Sequence, residues 1–316
     1  MNQHSFDNYK LIAVLGPTAS GKTRFAVRLA DIIGAEIISA DSRQIYRGMD
    51  IGTGKDLADY IIDGKEIPYH LIDIADAGTR YDIFRYQRAF AEAYSDIVSR
   101  GKKAILCGGS GLYLESVTRG YSIPDVPSDP QLREELEKHS DTELIAMLQS
   151  LTTPHNTTDY DTRKRLIRAI EIAVYQKEHP EDTGVFSDKA SGTDAAAIRK
   201  FGTDEVKYLG ISVSREERNA RIDRRLDERL KEGMVEEVQG LLDKGIPPED
   251  LIYYGLEYKF VTLYLTGQMT FDEMKSRLAI AIHQFAKRQM TWFRGMERRG
   301  IPIEWISDTG KFLTVD

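Results

Sequence analysis

Residues 16–23 read Gly-Pro-Thr-Ala-Ser-Gly-Lys-Thr and meet the phosphate-binding pattern G-x-x-x-x-G-K-[ST] at every fixed position. The two glycines let the backbone turn so that successive N–H groups point at phosphate oxygens. The helix that follows adds the positive end of its dipole. Gly16, Pro17, Thr18, Ala19, Ser20, Gly21, Lys22 and Thr23 are therefore the expected phosphate contacts. Within them Lys22 reaches a terminal phosphate, and the Thr23 hydroxyl is the expected ligand of a Mg²⁺ cofactor. Three further groups carry chemistry. Asp41, in Asp41-Ser42-Arg43-Gln44, has the chemistry of a metal ligand, a general base or a turn cap. Ile51-Gly52-Thr53-Gly54-Lys55 is a small-residue turn with a cation, suited to closing over an anion. Gly108-Gly109-Ser110-Gly111-Leu112-Tyr113 is a second glycine-rich turn, with a hydroxyl at Ser110.

Positioning these groups needs an alternating α/β framework. Strand-like runs are expected at 11–15, 36–39, 69–73 and 103–107, with helices between them at 24–33 and 84–98. That alternation implies a parallel sheet flanked by helices, and ligands bind such sheets at the C-terminal ends of the strands. Asp41 and both glycine turns follow strands, so the three converge on one sheet edge. Three prolines within 121–130 read as a linker, followed by helices at 131–151 and 161–176 and a polar stretch at 178–204. A strand at 206–213 rejoins the sheet. Long helices follow at 215–244, 255–266 and 270–295, with a last strand at 302–306. The expected organisation is a split P-loop NTPase-like core, 1–119 and 205–316, around a mostly helical insertion domain at 120–204.

Composition narrows the classes. A hydrophobic fraction of 41% over 316 residues supports buried cores and argues against disorder. A single cysteine, Cys107, ends an apolar run, which fits a small buried hydrophobe in a reducing cytoplasm. Six scattered histidines lack zinc spacing, and no apolar run is long enough to span a membrane. The net charge of −7 opposes nucleic-acid binding by the whole surface, but charge is local. Residues 285–299 set Lys287, Arg288, Arg294, Arg298 and Arg299 against Glu297 alone, interleaved with Trp292 and Phe293, a pattern suited to a polyanion. Residues 221–231 are also basic, with acidic partners at helical spacing, and read as a solvated helix face.

Taken together, Gly16–Thr23, Asp41–Thr53, Gly108–Tyr113, Arg165–Glu171, Arg221–Gly233 and Ala286–Phe293 resemble the bacterial tRNA dimethylallyltransferases, in the family's order and over nearly the whole chain. The resemblance implies transfer of a dimethylallyl group from dimethylallyl diphosphate to N6 of the adenosine 3′-adjacent to the anticodon. The phosphate loop would then grip a leaving group. It assigns Asp41 as general base, Ser110 to the family's usual threonine position near the diphosphate, and Arg225 to a diphosphate contact. It implies tRNA anticodon stem-loop contacts by Asp41, Ser42, Arg43, Gln44 and Ser110. Further contacts fall to Arg133, Lys164, Arg165, Leu166, Ile167 and Arg168 of the insertion, and to Lys287 and Arg288. A cytoplasmic monomer without membrane contact is expected. A small-molecule kinase using the same loop, an adenylate isopentenyltransferase and a non-catalytic RNA switch are the alternatives. One departure stands out: the family's usual Gly-Tyr-Lys is Glu257-Tyr258-Lys259 here, which places a carboxylate near the RNA side.

Overall fold

A computed structural model describes residues 6–121, 123, 125–151, 162–180, 200–307 and 309–314. The chain divides into two compact units, one formed by Met1–Tyr121 and Lys200–Asp316 and the other by Ser122–Arg199. Among the described residues no helix is long and apolar enough to cross a membrane.

The strands are β1 (Leu11–Leu15), β2 (Glu36–Ser39), β3 (Tyr46–Arg47), β4 (Ile61–Ile62), β5 (Lys65–Glu66), β6 (Tyr69–His70), β7 (Ala75–Asp76), β8 (Ala104–Gly108), β9 (Val206–Ile211) and β10 (Ile303–Ile306). Six of them form one sheet in the order β10-β9-β1-β8-β2-β6. Every pairing in it is parallel. All residues of β1 and β8 are buried, as expected for central strands covered on both faces. Because β8 lies between β1 and β2, the chain segments leaving these three strands emerge side by side. β6 is only two residues long: Leu71 and Asp73 take positive φ (63° and 56°), so the strand expected through 73 stops at His70.

The helices of the larger unit are α1 (Lys22–Ile33), α2 (Ile83–Ser99) and α3 (Gly111–Thr118), while α4 (Pro130–Leu136), α5 (Asp141–Leu151) and α6 (Arg163–Glu178) belong to the smaller. Returning to the larger unit, the chain forms α7 (Arg215–Glu232), α8 (Met234–Asp243), α9 (Pro248–Tyr253), α10 (Leu256–Leu265), α11 (Phe271–Arg298) and α12 (Thr309–Leu313). α1 lays Phe25, Ala26, Leu29, Ala30 and Ile33 onto the sheet core beside Val14, Ile37 and Ile105. α11 starts with a capping box in which Thr270 and Glu273 satisfy each other's backbone N–H groups.

Two helices expected from periodicity are each two. The 215–244 stretch breaks at Gly233, whose φ of 106° no helix tolerates. The 131–151 stretch breaks between Leu136 and Asp141, where Ser140 and Glu143 cap a new start. α9 was not expected at all. In the smaller unit, α4, α5 and α6 pack around Leu136, Leu144, Leu148, Leu166, Ile167 and Ile170. The stretch 181–199 of the expected polar loop lies outside the described residues.

Candidate diphosphate and acceptor site

β1 delivers the chain into the phosphate loop. A Cβ on Gly16 would come 2.7 Å from Ser20 Oγ and 3.2 Å from the Ile211 carbonyl, so this turn closes tightly only around glycine. Gly21 caps α1 with φ 85°, and no side chain caps the helix N-terminus by a hydrogen bond. The first N–H groups of a twelve-residue helix are thus left for an anion. Lys22 lies along the loop with Nζ 3.4 Å from the Pro17 carbonyl. Burial pulls its pKa below the ordinary lysine value, with Asp41 opposing that shift. A bound polyanion acts in the same sense as Asp41.

The second and third strand ends lock onto each other. A Cβ on Gly108 would overlap the Ala40 backbone. Its absence lets Ser110 N–H donate to the Ala40 carbonyl at 3.2 Å. Asp41 Oδ1 accepts the Arg43 N–H at 2.9 Å, an Asx turn that fixes the carboxylate. Ser42 N–H donates to Ser110 Oγ at 3.1 Å, and the Ser110 hydroxyl donates to Ser42 Oγ at 3.3 Å. Ser110 therefore orients the segment bearing Asp41 instead of capping α3. Gln44 Nε2 donates to the Gly54 carbonyl at 3.0 Å, and Arg43 Nη1 to the Tyr253 carbonyl at 3.3 Å.

The basic stretch 221–231 corrects the reading of a solvated face. Arg225 and Arg229, one turn apart on α7, point toward the segment after β3. Arg225 pairs with Asp56 at 2.5 Å, and Arg229 lies 3.7 Å from the same carboxylate. A Cβ on Gly54 would overlap both guanidinium groups, so this glycine admits them. Arg229 is only 9% exposed, and one of its terminal nitrogens is buried without a hydrogen-bond partner. Glu257 lines the same space. Burial pushes its carboxyl above the ordinary range, while Arg229, Arg225 and Arg43 pull it back down.

The turn at 51–55 does not serve as an anion clamp. Lys55 is buried and bonds to Asp50 (2.5 Å), to the Tyr46 carbonyl (2.7 Å) and to Asp73. The N–H groups of Asp50, Ile51 and Gly52 are taken by one carboxylate, Glu237 of α8, at 2.7, 2.7 and 3.0 Å. Tyr258 donates its hydroxyl to the same carboxylate at 2.6 Å. The turn is a scaffold for Gly54, tied down from two sides.

These parts enclose a cavity of about 330 Å³. It brings together Thr18, Lys22, Thr23, Asp41, Ser42, Arg43, Gln44, Ser110, Arg225 and Arg288 of the sequence-derived candidates. Arg229, Glu257 and Gln289, not singled out as site residues by the sequence, line it too. Gly16 and Pro17 are buried behind the loop. Ala19, Ser20 and Gly21 instead line a more open groove of about 680 Å³, with Arg24, Arg28, Arg221 and Arg224. Lys287 is exposed on α11. On the smaller unit, Leu166 and Ile167 are 2% and 4% exposed. Their side chains belong to the helical core with Ile170, so neither presents a side chain to RNA. Arg133 and Arg168 both bond to the buried Glu171, Arg133 at 2.8 and 3.0 Å, while Lys164 and Arg165 are exposed.

Residues 44–296 match the family described as IPP transferase. The chain is 55% identical over 302 residues to tRNA dimethylallyltransferase 1 of Parabacteroides distasonis, covering 96% of this chain and 94% of that protein. It is 56% identical over 299 residues to tRNA dimethylallyltransferase 2 of Bacteroides fragilis, covering 95% and 93%. The crystal structure of the tRNA isopentenylpyrophosphate transferase from Bacillus halodurans superposes with a TM-score of 0.65 at 30% identity, covering 96% of this chain and 93% of that one. With the family match extending from Gln44 on the segment that follows Asp41 to Met296 near the end of α11, the chain belongs to the IPP transferase family.

Proposed function

We propose that this protein transfers a dimethylallyl group from dimethylallyl diphosphate to N6 of the adenosine 3′-adjacent to the anticodon of a tRNA. The observation that carries the reading is the single cavity shared by the phosphate loop, Asp41, Ser110, Arg225 and Arg229. A cradle for diphosphate and a carboxylate for a proton face one space large enough for a nucleobase beside a five-carbon chain.

The chemistry follows from the groups present. N6 attacks C1 of the dimethylallyl group as the C1–O bond breaks, and that bond's electron pair leaves on the diphosphate. The N6 proton passes to the Asp41 carboxylate, which its Asx turn holds in place. Negative charge grows on the leaving oxygen, so Lys22, Arg225 and the open N–H groups of α1 bind the transition state more tightly than the ground state. The Arg229 nitrogen that makes no hydrogen bond is a further donor suited to the diphosphate. The acceptor base has to leave its stack to enter, which an unpaired anticodon loop makes inexpensive. Mg²⁺ fits this donor set. The Thr23 hydroxyl is a hard oxygen ligand on the same cavity as the diphosphate cradle, and among the described residues no cluster of three acidic, histidine or cysteine side chains competes for the ion. Thr23 would hold the ion together with diphosphate oxygens and water, and the ion would neutralise leaving-group charge.

The test is incubation with an anticodon stem-loop, Mg²⁺ and dimethylallyl diphosphate, followed by nucleoside digestion and mass analysis. One dimethylallyl group on a single adenosine is expected. Unmodified RNA, with ATP consumed on a small hydroxyl substrate, would replace this reading by that of a kinase.

A further inference from the structure

The two glycine turns are bridged by one side chain that neither contributes. Gln289, on α11 and 7% exposed, accepts the Thr18 N–H through Oε1 at 2.8 Å. Its Nε2 donates to the Gly109 carbonyl at 2.9 Å. Its primary amide does both at once without charge, which neither a carboxylate, unable to donate, nor an ammonium, unable to accept, could do in its place. A Cβ on Gly109 would overlap this amide nitrogen, so the turn is shaped to receive it. Lys287 and Arg288 immediately precede Gln289 on the same continuous helix, and Arg288 lies over the Phe285 ring at 5.9 Å at the cavity's edge.

We propose that Gln289 is a positioning residue that ties the helix carrying the candidate RNA contacts to both diphosphate-facing turns, so that RNA binding at α11 and diphosphate binding at the loop are energetically coupled. This rests on the proposed function for what α11 contacts. The bond pair sets the gap between Thr18 and Gly109. A small shift of α11 moves both turns together because a buried amide held at both ends has little freedom to re-pair. Two sites joined through one rigid element share a coupling free energy, commonly worth 5- to 150-fold in affinity.

The experiment measures the binding of inorganic diphosphate with Mg²⁺ to the full-length protein, with and without an anticodon stem-loop, for wild type and Gln289→Met. Methionine keeps the length and volume of the side chain but makes neither bond. The stem-loop is expected to change the wild-type diphosphate affinity by about tenfold, and this ratio is expected to fall to about one in Gln289→Met. Diphosphate affinity without RNA should also weaken, by roughly tenfold for a lost buried hydrogen bond. Gln289→Glu keeps the acceptor and loses the donor. It should show the same collapse of the ratio and serves if the methionine variant does not fold. Equal ratios in wild type and a folded variant, at one or any other value, overturn the proposal. Absence of stem-loop binding by the wild type overturns the functional reading instead, and the RNA-free diphosphate measurement still tests the grip of Gln289 on the loop.

Discussion

At the scale of single residues, the site is a division of labour between one carboxylate and a set of cations. Asp41 is oriented by a backbone N–H, not by a neighbouring cation, which leaves it free to act as a base. Replacing it with alanine should lower transfer by about 10²–10⁴, the usual loss for a general base, while stem-loop binding measured by gel shift is retained. Parallel losses of binding and turnover would assign it a structural or metal-holding role. Gly54 is the counterpart on the donor side. Gly54→Ala drives a methyl group into the guanidiniums of Arg225 and Arg229, and its φ of 65° disfavours any side chain. A higher KM for dimethylallyl diphosphate is expected in steady-state kinetics, with RNA affinity little changed. An unaltered donor KM would remove both arginines from the diphosphate's surroundings. Arg229 was hidden in the sequence for a simple reason. Arginine every fourth residue among acidic neighbours looks the same whether the helix faces water or a cavity, and only the approach of Gly54 decides it.

At the scale of elements, two small networks hold the working parts. Glu237 of α8 gathers three backbone N–H groups and the Tyr258 hydroxyl, and so fixes the segment that aims Gly54 at Arg225. Glu237→Gln substitutes a donor for one of the two accepting oxygens. It should lower the melting temperature by several degrees and raise the donor KM, measured by thermal unfolding and kinetics. A variant with wild-type values on both would show that the segment holds itself. At the start of β2, Glu36 pairs with Arg100 and His70, which together hold its carboxyl down at about 2 against an ordinary 4.5. Its folded pKa is depressed, so the stability it contributes is present above pH 4.5 and is lost as pH falls toward 2. Glu36→Gln should be less stable than wild type at neutral pH, and the gap between the two should close across that acidic window in pH-dependent denaturation. A gap independent of pH would make the pairing irrelevant. These networks were not legible in the sequence, because a carboxylate that binds a backbone turn 185 residues away leaves no periodicity. The helix start at Thr270 was legible, since a capping box is written in adjacent residues.

At the scale of the whole molecule, one topological fact assembles the site: β8 lies between β1 and β2. Residues 16–23, 41–44 and 108–110 are far apart in sequence, and the parallel alternation of strands and helices was sufficient to expect them on one edge. What the alternation did not reveal was α11 reaching from the opposite end of the chain to close the cavity with Phe285, Arg288 and Gln289. Helical periodicity gives the buried face of α11 but not the element it covers. The central claim is that this cavity breaks a carbon–oxygen bond and releases diphosphate intact. The most direct measurement is the stoichiometry of inorganic diphosphate released against dimethylallyl groups added to a stem-loop in a single incubation. The account predicts equal amounts, both abolished without RNA. Diphosphate without RNA modification, or phosphate released from ATP in its place, would contradict it.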